Sequence, residues 1–213
     1  MSLNSANVNI GHLQGIIVGE IYSPRRSIAL VTLKVKADRS ATGTSKRKLH
    51  FIQIAAYDEL AEQLREDGTE GRILYVQYHL TTNGKKDENG VSRFFNNRTA
   101  DKLFFGQMLN DEPVSVPYLN KGFIQGKAAG LKRIYGSDAN LWSLLVSETL
   151  VHDSGREMRH LHRFVIDGDE MKFLAGRKKN GEPVLAEYRI ESRKEVKDGQ
   201  TEHHIDYILT NLL

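Results

Sequence analysis

Apolar and polar residues alternate along much of the first half of the chain. Ala29, Val31, Leu33 and Val35 are apolar while Thr32, Lys34 and Lys36 between them are polar, the period-two pattern of a strand with one wet face. Ile52, Ile54 and Ala56 set the inner face of a third strand, and Leu74, Val76, Tyr78 and Leu80 that of a fourth. Between these two, the spacing predicts a short helix over Asp58 to Arg65, with Asp58 as N-cap and Leu60, Ala61 and Leu64 on its apolar side. Asn83-Gly84 through Asn89-Gly90 reads as a polar turn region, and Val91 to Phe105 as a fifth strand.

The second half repeats the first. Gly11-His12-Leu13-Gln14-Gly15 is echoed by Gly122-Phe123-Ile124-Gln125-Gly126 at an offset of 111, Leu30-Val31-Thr32-Leu33 by Leu141-Trp142-Ser143-Leu144 at the same offset, and Tyr78-His79-Leu80 by Tyr188-Arg189-Ile190 at 110. Three matches in order at nearly one spacing indicate a duplicated unit. The second copy has predicted strands near 119–135, 139–151, 159–166, 183–193 and 201–211, a reduced helix over Asp169 to Ala175, and a turn at Arg177-Lys178-Lys179-Asn180-Gly181. The join falls at 110–117, where Pro113 and Pro117 interrupt regular structure. The expected domains are therefore 1–110 and 118–213. Five strands with a helix between the third and fourth is the order of the oligonucleotide/oligosaccharide-binding (OB) barrel, which closes its sheet and exposes no edge. The expected class is all-β with a minor helical part, as two tandem five-stranded OB barrels.

Charge and composition narrow the function. The first 110 residues carry 15 Lys/Arg against 11 Asp/Glu, a balance of +4, whereas the remainder carries 15 against 16, a balance of −1. Such a split directs a polyanion to the first copy. The absence of cysteine removes disulfides, Cys-ligated zinc and thiol catalysis. No apolar run approaches the ~20 residues of a membrane span, and no basic start with an apolar stretch marks a signal peptide, so a cytoplasmic protein is expected.

Along most of residues 8–105 the first copy resembles the bacterial single-stranded DNA-binding (SSB) family. The resemblance rests on fragments in order: Asn9, Leu13 and Gly15; Ile52-Gln53-Ile54-Ala55-Ala56-Tyr57 with Leu60-Ala61-Glu62; Gly71-Arg72-Ile73-Leu74-Tyr75-Val76 with Leu80; Asp87-Glu88-Asn89-Gly90-Val91 with Arg93-Phe94; and Ala100-Asp101. It implies an OB barrel, sequence-tolerant binding of single strands, no catalysis, and about four barrels acting together, hence a homodimer of two-barrel chains. Two features depart from the family. Its tryptophan between the fourth and fifth strands is matched here by about Lys85, and its acidic recruiting tail has no counterpart, since the sequence stops at Thr210-Asn211-Leu212-Leu213. Recruitment through such a tail is not expected.

Sequence-tolerant binding needs aromatic faces for base stacking and cations along the phosphate path. With Ile52 and Ile54 inward, Phe51, Gln53 and Tyr57 fall on the outer side, and Phe51 also occupies the place where the family puts a stacking aromatic. Phe94 and Tyr75 complete the expected stacking set. Tyr78, Tyr188 and Trp142 read as core, with Trp142 at the position of Val31. The expected phosphate track is Lys34, Lys36, Arg39, Lys46, Arg47, Lys48, Lys85, Lys86, Arg93 and Arg98, with the loop Ala37 to Lys48 as a basic arm. Arg163 of the second copy, set opposite Phe51, joins it through its planar guanidinium.

No metal, cofactor, small-molecule substrate or catalytic residue is expected. His160-Leu161-His162, His203-His204 and Asp167-Gly168-Asp169-Glu170 frame a minor reading as a metal-dependent nuclease, without a third ligand at a recognisable spacing. The stronger rival is an OB module that docks proteins in a primosome or conjugation complex. The leading expectation is binding and protection of single-stranded DNA in replication, recombination, repair or plasmid transfer.

Overall fold

A computed structural model describes residues 8–36, 49–86, 92–108, 118–134, 142–151, 157–166, 168–197 and 200–213, with backbone alone at 84–86, 92–95, 151, 195–197, 200 and 202–203. The first copy contains β1 (Asn9–Ile17), β2 (Tyr22–Arg25), β3 (Ile28–Lys36), β4 (Leu49–Tyr57), α1 (Asp58–Asp67), β5 (Arg72–Lys86) and β6 (Ser92–Met108). The second contains β7 (Leu119–Arg133), β8 (Trp142–Val151), β9 (Glu157–Ile166), α2 (Asp169–Arg177), β10 (Pro183–Lys197) and β11 (Gln200–Leu212).

Each copy closes into an OB barrel. In the first, β1 pairs with β3, β3 with β4, β4 in parallel with β6, β6 with β5, and β5 with β1. In the second, β7, β8, β9, β11 and β10 form the same ring, again with one parallel pairing. The alternation predicted for the strands is observed: Ala29, Val31, Leu33, Val35, Ile52, Ile54, Ala56, Leu74, Val76, Tyr78 and Leu80 are all buried. A fully buried Val, Leu or Ile contributes about 1.5–3 kcal/mol, so one closed inner face carries much of each barrel's stability.

Local details differ from the sequence expectation. Tyr57, not Asp58, is the N-cap; Asp58 is the first helical residue, at φ 49°, and its amide bonds Ser27 O. An aspartate tolerates that left-handed backbone better than most residues. α1 runs on to Asp67, whose C-terminal turn Arg72 ties down, and α2 continues through Gly176 to Arg177. β2 escaped the periodicity argument because all four of its residues are exposed and one is Pro24.

The barrels join edge to edge through β1 and β7, with Gly11 opposite Gly122, Ile10 opposite Phe123 and His12 opposite Lys121. These partners exchange under the 111 offset, so a pseudo-twofold axis passes beside the Gly11–Gly122 pair. Tyr78 lies over Gly11 and Tyr188 over Gly122: a Cβ would fall 2.1 Å from Tyr78 Cζ and 2.2 Å from Tyr188 Cζ. Gly15 and Gly126 are equally constrained, by Lys34 O and Ser147 O at 2.6 Å from a Cβ. The repeated glycines are thus close-approach positions. Both tyrosines are core, as expected, and burial raises both hydroxyl pKa values.

The axis recurs in side-chain bonds. Asn9 brackets the backbone of Leu80, and Asn120 that of Ile190. His50 Nδ1 accepts from Ser192 N at 2.9 Å, and His160 Nδ1 from Thr82 N at 3.0 Å. The hairpin β5–β6 therefore reaches across to β9, and β10–β11 reaches across to β4. Each barrel is held by the other's hairpin.

These mirrored bonds correct the residue correspondence inferred from sequence. Phe51 N bonds Ser192 Oγ and Leu161 N bonds Thr82 Oγ1, so Leu161 is the counterpart of Phe51, and Arg163 that of Gln53. One residue of the two-residue shift arises where β9 enters its helix: buried Ile166 precedes Asp169 by three residues, whereas buried Ala56 precedes Asp58 by two. Trp142, opposite Ile166, accordingly replaces Ala29, opposite Ala56, rather than Val31. It still packs on the core, half-buried beneath Lys172.

Candidate nucleic-acid interface

The outer face of β3 and β4 gathers the strongest of the expected residues. Outward alternation leaves Leu49, Phe51, Gln53 and Tyr57 exposed on β4, with Phe51 44% and Tyr57 45% accessible. Lys34 stands directly opposite Phe51, and Lys36 opposite Leu49. Phe51 and Tyr57 lie six residues apart, about 20 Å at strand rise, so bases stacked on both would span several nucleotides. Lys36 also leans over the Tyr118 ring at 5.8 Å, placing an aromatic beside this second cation.

Other expected residues lie elsewhere. Tyr75 is on β5, with β6 between it and β4. Its hydroxyl meets His12 Nδ1 at 2.6 Å, and its ring lies against His12 and Phe104. It is half-buried on a separate outer sheet face, beside exposed Phe104, Met108 and Leu119. Arg98 is drawn into the seam between barrels, donating Nε to Gln53 O at 2.6 Å and NH1 to the Tyr207 hydroxyl at 2.8 Å. Its guanidinium holds the barrels in register instead of standing free. Arg163 is exposed on β9. Arg39, Lys46, Arg47 and Lys48 lie outside the described residues; Lys85, Lys86, Arg93 and Phe94 lie on β5 and β6 with side chains that are not described.

Sequence reasoning passed over one element. Ser192 on β10 meets β4 at Phe51, so the second barrel's hairpin reaches the first barrel's stacking face, and exposed Lys194 follows Ser192 two residues on. No local pattern marks that contact, because only the hairpin crossover makes it.

His160 and His162, two of the histidines weighed as metal ligands, are buried and structural, while the side chain of His203 lies outside the described residues. His162 contacts the buried Glu148 carboxylate at 3.2 Å, and His160 serves Thr82. Burial, reinforced by His162, pulls the His160 pKa below its ordinary range. Among the described residues no group of three His, Asp or Glu is arranged to hold a metal. No described helix is long and apolar enough to cross a membrane.

No protein-family model matches the chain, and no curated protein does. Solved structures do. The single-stranded DNA-binding protein from Thermus aquaticus superposes with a TM-score of 0.64 at 13% identity, covering 98% of this chain and 93% of that one. A deletion variant of it that also carries a point substitution gives a TM-score of 0.67 at 10% identity, over 97% and 94%. At such identities the likeness is one of fold, and over nearly its whole length this chain has the tandem OB-barrel architecture of the Thermus aquaticus protein.

Proposed function

We infer that this chain is a non-catalytic binder of single-stranded DNA, engaging it on the outer face of β3 and β4. The observation that carries the reading is Phe51, an aromatic ring held open to solvent on a strand with Lys34 directly across from it. Exposed base faces stack on such rings, while a duplex buries them, so the site favours single strands. Solved proteins of the same architecture named as single-stranded DNA-binding proteins support this. Sequence tolerance fits replication, recombination, repair or plasmid transfer alike.

The outer sheet face with Phe104, Met108 and Leu119 favours a second component of the reading, a homodimer in which two such faces meet to give four barrels. The testing experiment is a titration of the purified protein with labelled dT oligonucleotide and matched duplex at two salt concentrations, with and without divalent metal. Tight, salt-sensitive single-strand binding that leaves the oligonucleotide intact is expected. Equal affinity for duplex at moderate salt removes the stacking argument, and metal-dependent cleavage restores the nuclease.

A further inference from the structure

The two helices are copies of one element whose surfaces have diverged in opposite directions. Both occupy the same place in their barrels, and their buried faces correspond: Leu64 and Ala175 stand at the 111 offset and are both buried. Their outer faces do not correspond. α1 presents Asp58, Glu59, Glu62, Glu66 and Asp67 with one cation, Arg65. Of these, Asp58, Glu59, Glu62 and Glu66 are exposed, and none of those four forms an ion pair among the described residues.

At the positions of Glu62 and Glu66, α2 carries Phe173 and Arg177. Phe173 is 63% exposed, with the Arg177 guanidinium 5.5 Å from its ring centre. Leu131, Asp169, Lys172, Phe173, Gly176 and Arg177 line an open cleft there. Exposed Lys132 and Arg133 follow Leu131 on β7, and exposed Lys179 lies just beyond the helix. The acids beside it are Asp169 and Glu170 in the first helical turn and Glu182, which accepts from Lys179 N and pairs with Lys178.

An exposed phenylalanine on a helix, with Arg177 on its ring and Lys172 in the same cleft, marks a docking surface, and the excess of cations around the cleft favours an acidic occupant. An acidic helix of matching length is already present in the same molecule. It cannot reach its complement within one chain, because each helix packs on its own barrel and the pseudo-twofold axis separates them. We propose that the α2 cleft of one chain receives the acidic α1 face of a second copy. Because donor and acceptor surfaces differ, the contact is heterologous, and repeated head to tail without ring closure it propagates a line of chains. Such a line gives cooperative coverage of a long single strand, and that consequence rests on the binding proposed above; the association itself does not.

Sedimentation velocity of the full chain, without DNA and at low and high salt, tests the association. Concentration-dependent species larger than any closed oligomer are expected at low salt and are lost at high salt, because exposed charges are screened. Arg177→Glu alone abolishes them, as does Glu62→Lys with Glu66→Lys. An equimolar mixture of the two variants restores association, since acidic α1 of one then meets basic α2 of the other, and the reverse pair is complementary too. Phe173→Ser removes association while folding, followed by circular dichroism, is kept. Absence of salt-sensitive association in the wild type, or variants that leave it intact, overturns the proposal. So does weaker binding of the variants to a dT oligonucleotide short enough to hold one chain, which makes the cleft a DNA contact. If the wild type binds no single strand yet still forms the line, the function reading fails and this one stands.

Discussion

At the scale of residues, Phe51 and His160 carry the clearest consequences. Phe51→Ala removes one stacking platform and is expected to weaken dT binding by about 1–3 kcal/mol, with Arg163→Ala costing less and lowering mainly the salt slope. Fluorescence anisotropy at two salt concentrations reads both effects. The counterpart of Phe51 is Leu161, an aliphatic side chain without a π face, which strengthens the expectation that the first barrel is the principal binder. His160 predicts a pH dependence. Burial lowers its pKa from the ordinary 6.5, so the unfolded chain takes up a proton at a pH where the folded chain does not. Stability is therefore complete above about pH 7, and falls as pH drops through that value toward the folded pKa. Thermal unfolding at pH 7.5 and 5.5 is expected to show a smaller difference in His160→Asn, whose amide oxygen retains an acceptor for Thr82 N. An unchanged difference assigns the acid sensitivity to other groups.

At the scale of elements, β1 and β7 are the junction on which the molecule depends. Their glycines leave no room for a methyl group beneath Tyr78 and Tyr188, and overpacking a well-filled site costs about 1–3 kcal/mol. Gly11→Ala and Gly122→Ala are each expected to lower the denaturant midpoint by a comparable amount, because the axis makes their surroundings alike. A large loss in one and none in the other contradicts the symmetric packing. Local patterns in the sequence located β7 and both helices, while β1 was marked by the glycine motif that it shares with β7 at the 111 offset. Such patterns did not locate β2, whose exposed face has no buried partner to impose alternation. The pairing of β9 also escaped them, because one added residue before α2 changes which side chain answers Phe51.

At the scale of the whole molecule, four barrels per particle are expected from a homodimer, and light scattering at micromolar concentration and high salt, where the head-to-tail contact is screened, checks it; a monomer there removes the outer sheet face as a contact. What the sequence by itself determined was the architecture: two OB barrels follow from alternation, helix spacing and a 111-residue repeat. It also placed Phe51 and Tyr57 outside the barrel with Lys34 and Lys36, because strand alternation assigns a face from local order alone. Only the tertiary structure decided that Tyr75 belongs with His12 and Phe104, that Arg98 ties Gln53 to Tyr207, and that β10 lays Ser192 beside Phe51. Those outcomes depend on which strands become neighbours: closure of the first barrel brings Tyr75 to His12 across 63 residues, and the pseudo-twofold packing of one barrel on the other brings Ser192 to Phe51 across 141, adjacencies that no local pattern encodes.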